Sequence, residues 1–168
     1  MESKTGITSK ILYRVYDEFS NLKQEIIGHN IITTQGDQYL ADLMSLTPTR
    51  TKITQGSGFL VLGTGFSGVN IKNNSWVNTQ VGDPQPLDVT FPKVKGTWGG
   101  TNGNITQYQF TFPQGSLNIS GINEAVIVSA ILQGPTTSCL AYAQISPVVN
   151  MSSSDSLVVL WEVQNLGQ

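Results

Sequence analysis

Charged side chains are scarce in this chain of 168 residues: Asp, Glu, Lys and Arg together make up 12% of it, about half the usual share in soluble domains. Apart from the neighbours Lys93 and Lys95, the 9 cations are scattered, so the concentrated basic surface that nucleic-acid binding requires is missing. Ser, Thr, Asn, Gln and Gly take the place of the charges. A surface of such neutral groups favours wide protein contacts, although the tight turns and strands of a small β-protein also call for these residues.

Histidine and cysteine occur once each, which limits metal and thiol chemistry. The lone cysteine, Cys139, has no partner within the chain for a disulfide, and its place in an alternating strand predicts a small buried thiol. His29 stands between Gly28 and Asn30, where we expect a turn and a surface side chain rather than a ligand or a base. Neither a C-x-x-C nor an H-x-x-x-H spacing is present, so no metal site is predicted.

Long apolar runs are also absent. No run could span a bilayer, and the polar N-terminus carries no signal-peptide core, so we expect no membrane partner and synthesis in a reducing cytoplasm without secretion. The length suits one domain with a core of its own. Residues 1–9 are predicted to form a polar N-terminal arm, and residues 10–168 a single β-sandwich domain.

Short alternating or apolar segments, separated by Gly, Pro, Asn and Ser turns, dominate what is present. They predict an all-β fold, an antiparallel β-sandwich or jelly-roll-like domain. The fully apolar segment 59–62 should be a central strand, and 89–98 an edge strand or a bulge because Pro92 interrupts it. Residues 77–86 should be irregular. The predicted strands are 11–16, 22–27, 31–33, 59–62, 89–98, 105–112, 121–127, 139–147 and 152–163.

One short helix is predicted, over about residues 34–45. Thr34 and Asp37 form a capping-box pattern in which the Thr34 hydroxyl accepts from the Asp37 amide. Leu40, Leu43 and Met44 then recur at helical spacing, with Ala41 beside them. We expect this apolar stripe to cover an open edge or end of the sheet.

Residues 63–68 (GTGFSG) match the G-x-G-x-x-G pattern of dinucleotide-binding loops, and Asp88 follows at a suitable distance. Such a loop must open a helix. The residues after Gly68 are β-branched and turn-forming instead, so we interpret the pattern as a glycine loop between strands.

The carboxylates Asp83, Asp88, Glu124 and Asp155 are isolated in the sequence, and no G-x-S-x-G elbow is present. A glycosidase pair among them stays open, because sequence does not give their separation in space. Glu124 is expected to make a hydrogen bond to backbone, and Asp155 an Asx-type contact that caps a turn. We therefore predict no enzyme, no catalytic residue and no cofactor.

The tryptophans allow two interpretations. Trp76, Trp98 and Trp161, with Phe66, could line a carbohydrate platform, or they could be core or interface anchors. Trp161 alternates in register with its valine neighbours and is predicted to lie in the core. Trp98, beside two glycines, is expected to be the most exposed.

Several pieces of the chain, in order, carry a family resemblance. They are 30–36 (NIITTQG) with 39–43 (YLADL), 62–65 (LGTG), 122–127 (INEAVI), 140–147 (LAYAQISP) and 153–163 (SSDSLVVLWEV). This arrangement resembles a family of small tailed-bacteriophage virion proteins, described as head decoration or tail-fibre-related proteins. The correspondence spans about residues 10–163, but 70–104 matches nothing in the family, and AVIV replaces its usual AGLF after Glu124.

The resemblance implies a structural component of the virion and carries no catalytic residues. We expect a homo-oligomer, with a trimer as the first guess, bound to the major capsid protein or to other virion proteins. Capsid decoration is favoured over a tail fibre or adaptor because the chain shows no heptad seam and no repeat array. A host-glycan-binding module is the remaining alternative.

Overall fold

The computed structural model describes residues 6–66, 71–97 and 102–166. It confirms an all-β fold with a single short helix. The elements, in chain order, are β1 Gly6–Tyr16, β2 Leu22–Ile32, α1 Thr34–Leu43, β3 Phe59–Gly63, a 3₁₀ turn at Ile71–Asn73, β4 Gln80–Pro86, β5 Lys93–Val94, β6 Ile105–Phe112, β7 Ile119–Val128, β8 Cys139–Met151 and β9 Ser156–Leu166.

The strands form one curled antiparallel sheet in the order β4-β3-β7-β8-β2-β1-β9-β6-β5. Strand β2 belongs to both halves, because it pairs with β1 from Leu22 to His29 and with β8 from Asn30 onward. The curl brings the far end of β4 back to β6, where the Asp88 amide donates to the Gln109 carbonyl at 2.9 Å. The two halves therefore face one another as in a sandwich.

The main core lies between the two halves. Its largest buried side chains include Trp161, Tyr13, Phe110 and Phe112, so the predicted core position of Trp161 is confirmed. A second apolar cluster covers the opposite face of β3, β7 and β8, where Trp76 and Val77 pack on them. The segments of these strands under the second cluster, residues 60–63, 124–128 and 139–143, are buried on both faces, which explains why they are apolar almost throughout rather than alternating.

The helix begins one residue earlier than its capping pattern indicates. The N-cap is Thr33, whose hydroxyl accepts from the Gly36 amide at 2.9 Å and donates to the Cys139 carbonyl, so the predicted Thr34 cap is wrong. A Cβ on Gly36 would lie 2.0 Å from the Leu140 carbonyl oxygen. The close approach of α1 to β8 thus requires glycine here and fixes where the helix starts.

The predicted bend around His29 is also wrong. Strand β2 continues through it, because Gly28 and His29 stay in register with Ile11 and Lys10 of β1. His29 is exposed, as expected, but on a strand. Of the predicted arm, residues 1–5 lie outside the described part of the chain, and residues 6–9 already pair with β9.

Both ends of the sheet carry proline. Residues 80–86, expected to be irregular, form β4, which tolerates Pro84 and Pro86 because it is the terminal strand of the sheet. At the other end β5 shrinks to Lys93–Val94, next to Pro92, and confirms the predicted edge. Short edges with proline and lysine resist pairing with other sheets.

Candidate functional site

An apolar groove lies where α1 crosses the β5 edge of the sheet. It is a cavity of about 340 Å³. Leu40 and Leu43 of the predicted helical stripe form one wall, and Val94 and Tyr108 of β5 and β6 form the other. Leu40 and Leu43 therefore cover an end of the sheet as expected but leave a gap, whereas Met44 of the same predicted stripe is exposed, so that part of the prediction is wrong. We call this cavity the α1 groove; its full lining is Tyr39, Leu40, Leu43, Lys52, Ile53, Pro92, Lys93, Val94, Thr106, Tyr108 and Leu140.

The rim of the α1 groove is cationic. Lys52 and Lys93 are exposed at its border, and the lining includes no carboxylate. The Lys93 ammonium lies 4.4 Å from the centroid of the Phe91 ring, a cation–π contact that holds it beside the groove.

Further apolar surface follows the helix. Met44 and Leu46, directly after Leu43, are 87% and 99% exposed. Isolated exposed apolar side chains are common, but these adjoin an apolar groove, and contiguous patches mark contact sites. The arrangement suits a partner segment with apolar side chains for the groove and carboxylates for the two lysines.

A network on the other side of α1 fixes its position. Asp42 accepts from the Thr49 and Arg50 amides at 3.0 and 2.7 Å, and Arg50 donates to the Ser138 hydroxyl at 2.8 Å. The hydrogen bond from the Arg50 backbone amide is the main reason that the pKa of Asp42 lies below its ordinary value. A polar cavity of about 270 Å³ lies beside these residues. The network ties the segment before Lys52 to the helix and so helps to shape the α1 groove.

Glu124 is fully buried and accepts only from neutral donors. Its Oε1 accepts from the Gly65 and Asn78 amides, both at 2.9 Å, and its Oε2 accepts from the Tyr142 hydroxyl. The expected hydrogen bond to backbone is confirmed and is one of several. Burial and the neighbouring Glu124 together raise the pKa of Tyr142. The carboxylate thus joins two loops to strand β8.

The glycine pattern at 63–68 serves this cluster. The amides of Gly65 and Phe66 point to the Glu124 carboxylate and to the Asn123 side-chain oxygen, at 2.9 and 3.1 Å. The protein's own oxygens therefore occupy the amides that a phosphate would need. A 3₁₀ turn at 71–73 follows instead of an α-helix, and Gly68 lies outside the described residues.

The other carboxylates have separate partners. Asp155 accepts from the Ser152 amide and from the Lys23 ammonium, each at 2.8 Å, which confirms its turn-capping contact. Burial opposes its ionisation, but these bonds outweigh burial, and the pKa of Asp155 lies below its ordinary value. Asp88 binds the Thr111 amide at 3.0 Å. Within the described ranges no group of three His, Cys, Asp or Glu side chains could hold a metal ion.

The aromatic platform is not assembled among the described residues. Trp76 is buried against β7, with its Nε1 donating to the Gln80 side chain at 3.1 Å, and Phe66 packs at 6.2 Å from the Tyr142 ring. Trp98 lies outside the described part of the chain. One edge of Trp76 nevertheless borders a surface cavity of about 400 Å³; the rest of its lining is Gln80, Asp83, Pro84, Ile131, Leu132 and Gln133.

Cys139 is a buried free thiol, as predicted, and burial raises its pKa to about 12. Sequence reasoning missed the α1 groove, because its lining comes from several separate segments of the chain. The available signal in the sequence was Pro92, which predicts an edge strand. The structure shows that Lys93 and Val94 of this strand are exposed.

Comparisons with protein-family models, with curated proteins and with solved structures find no match to this chain. No helix in the described part is both long enough and apolar enough to cross a membrane.

Proposed function

We propose that this chain is a non-enzymatic structural component of a bacteriophage virion, a capsid decoration protein that binds the head surface as an oligomer. The observation that carries the proposal is the α1 groove with its cationic rim and the exposed Met44 and Leu46 beside it. The ordered series of motifs supports the phage assignment. The major capsid protein, or another virion protein, would supply an apolar segment that carries carboxylates.

The size of the groove fits a contact that is weak in each copy. A cavity of this kind buries only a few side chains, and exposed ion pairs at its rim contribute less than about 1 kcal/mol each. Many copies on a regular shell, linked as oligomers, gain strength through avidity. A surface with few charges costs little free energy to desolvate, which favours weak contacts between each subunit and the shell.

A host-glycan-binding module is the second candidate, and the cavity beside Trp76 favours it. An indole edge, the side-chain amides of Gln80 and Gln133, and the Asp83 carboxylate are groups that bind sugars. Glycan-array binding that is lost in Asp83→Ala, in a protein that does not bind stripped heads, would support this function over decoration.

The first test is the copy number in purified virions, measured by quantitative mass spectrometry. Hundreds of copies, released by a mild chaotrope with heads weakened and tails intact, support decoration. A copy number of about a dozen or fewer in tail fractions would instead indicate a tail fibre or adaptor. Absence from virions overturns the proposal.

A matched pair of variants tests the α1 groove. Val94 in the groove and Val89 outside its lining are 53% and 67% exposed, so aspartate at either site should leave the fold intact. We expect Val94→Asp to weaken binding to stripped heads at least about tenfold, and Val89→Asp to bind as the unmodified protein does. Equal binding by both variants would exclude the groove as the contact.

A further inference from the structure

The outer face of β1 and β9 carries charged and apolar side chains in register. Side chains alternate along each strand, and the odd-numbered residues Ile11, Tyr13 and Val159 point into the core. The even-numbered residues therefore face outward. The register sets them side by side as Lys10 with Glu162, Leu12 with Leu160, and Arg14 with Val158.

The apolar row extends onto β2. Ile27 lies beside Leu12 in the register and is 56% exposed, while Leu12 and Leu160 are half-buried. A shallow cavity of about 270 Å³ opens at this row, with Lys10 and Glu162 among its lining residues. An apolar centre with a charged border is the usual composition of a protein contact.

The charged border is held in place. Glu162 accepts from the Lys95 ammonium and from the side-chain amide of Gln107, each at 2.8 Å. Burial opposes ionisation of Glu162, but these bonds outweigh it and keep its pKa below the ordinary value. Lys10 is exposed beside it. The face therefore presents a fixed negative charge on β9 next to a positive charge on β1.

We propose that this face binds a second copy of the chain through a two-fold axis that runs parallel to the strands, between β1 and β9. Such a rotation lays β1 of one copy over β9 of the other. Lys10 then faces Glu162 of the second copy, and Glu162 faces its Lys10. Leu12 and Leu160 from both copies meet at the centre.

The charge pattern selects this occupant. Because a two-fold contact is isologous, each residue meets its cross-strand neighbour from the second copy, so Lys10 meets Glu162 twice with opposite signs, while Arg14 meets Val158. A partner surface of a single charge sign would be attracted by one of Lys10 and Glu162 and repelled by the other, so it fits this border less well than a second copy does. Aligned packing of two sheet faces, within about 30° of parallel, is a common arrangement in β-proteins.

The contact is independent of head binding, because it uses β1 and β9 rather than the α1 groove. It would form a pair of subunits whose two α1 grooves stay open. Failure of the pair would leave the decoration proposal intact, and failure of decoration would leave the pair intact.

Two charge reversals test the axis when they are mixed. In Lys10→Glu the two positions that meet across the axis are both carboxylates, with Lys95 unchanged beside them, and in Glu162→Lys they are both ammonium groups. Each variant alone should therefore dimerise at least about tenfold more weakly than the unmodified protein. In an equimolar mixture each acidic border meets a basic one. We expect dimers to return, with one copy of each variant in every dimer.

Sedimentation velocity over a range of concentrations measures the dimer, and native mass spectrometry identifies its composition. Lys52→Glu and Asp83→Lys, which lie elsewhere on the surface, are the matched controls and should dimerise as the unmodified chain does. Thermal unfolding of each variant establishes that it is folded. A monomeric unmodified protein, an oligomer that neither reversal weakens, or a mixture that stays monomeric would each overturn the proposal.

Discussion

Two carboxylates are buried among the residues that the structure describes, Glu124 and Asp155, with side chains 0% and 1% exposed, and they are stabilised in opposite ways. Glu124 accepts only from amides and a hydroxyl. Asp155 accepts from a lysine as well as from a turn amide. Glu124 joins two loops to strand β8, whereas Asp155 joins the turn before β9 to Lys23 at the start of β2.

The comparison shows that the donors, more than the carboxylate, decide what a substitution costs. Removal of Glu124 leaves the Gly65 and Asn78 amides and the buried Tyr142 hydroxyl without their acceptor. Removal of Asp155 leaves Lys23, which is 45% exposed and can be hydrated. A buried acid held by neutral groups should therefore be harder to replace than one held by a surface cation.

Glu124→Ala should have the largest effect. It orphans the Gly65 and Asn78 amides and the Tyr142 hydroxyl and leaves a cavity, so we expect a loss of about 3–5 kcal/mol in the free energy of unfolding. Urea denaturation measures it. Glu25→Ala, which removes an exposed ion pair with Arg14, is the control and should cost less than about 1 kcal/mol. Equal losses in the two variants would contradict the assignment.

Asp155→Ala should cost less, about 1–3 kcal/mol, because the turn amide of Ser152 loses its acceptor while Lys23 returns to water. Lys23→Ala in the same assay should cost at least about as much, because it leaves the buried Asp155 carboxylate without its cation. If Asp155→Ala proved as severe as Glu124→Ala, the lysine would not be the reason for the difference.

The pH dependence of stability should separate Asp155 from its asparagine variant. The folded pKa of Asp155 is depressed, so its contribution is present above the unfolded carboxyl pKa of about 4 and is lost as the pH falls through the folded value. Urea midpoints of the protein and of Asp155→Asn should differ at pH 7 and converge at the acid end. Because both proteins contain Asp42 and the other carboxyl groups, the difference between their urea midpoints cancels the titration of those groups. A gap that is constant with pH would refute the linkage.

Two buried tyrosines give the smallest and most selective test. The Tyr142 hydroxyl donates to Glu124, whereas the Tyr13 hydroxyl has no hydrogen-bond partner among the described residues. Tyr142→Phe should lower the free energy of unfolding by about 1 kcal/mol, and Tyr13→Phe should leave it unchanged or raise it by up to about 1 kcal/mol. The same sign for both changes would argue against the hydrogen-bond account.

Local patterns predicted much of the fold. Alternation located most strands, and the leucine spacing of α1 located the helix. The N-cap was missed by one residue because Thr33 and Thr34 are alike in sequence, and only the contact with the Cys139 carbonyl distinguishes them. Strand β4 was missed because its prolines are tolerated only at the end of a sheet, and the sequence does not give the strand order.

The site was beyond sequence reasoning for a related reason. The amides that Glu124 binds lie 59 and 46 positions away along the chain, so no local spacing connects them. The α1 groove likewise joins α1, Lys52 and β5 across separate segments. The sequence allowed the prediction that Glu124 makes a hydrogen bond to backbone. Which amides it binds depends on the order of the strands in the sheet.

The position of β9 has a consequence for synthesis. It is synthesised long after β1, yet it lies between β1 and β6 in the sheet, and Ser9 bonds to the Glu162 carbonyl across 153 positions. Strand β1 must therefore wait for β9, with one edge unpaired while the intervening chain is translated. Closing so long a loop slows folding, and the waiting edge invites association between nascent chains. Crowding of polysomes and chaperone supply should therefore limit the yield of this protein more than its final stability does.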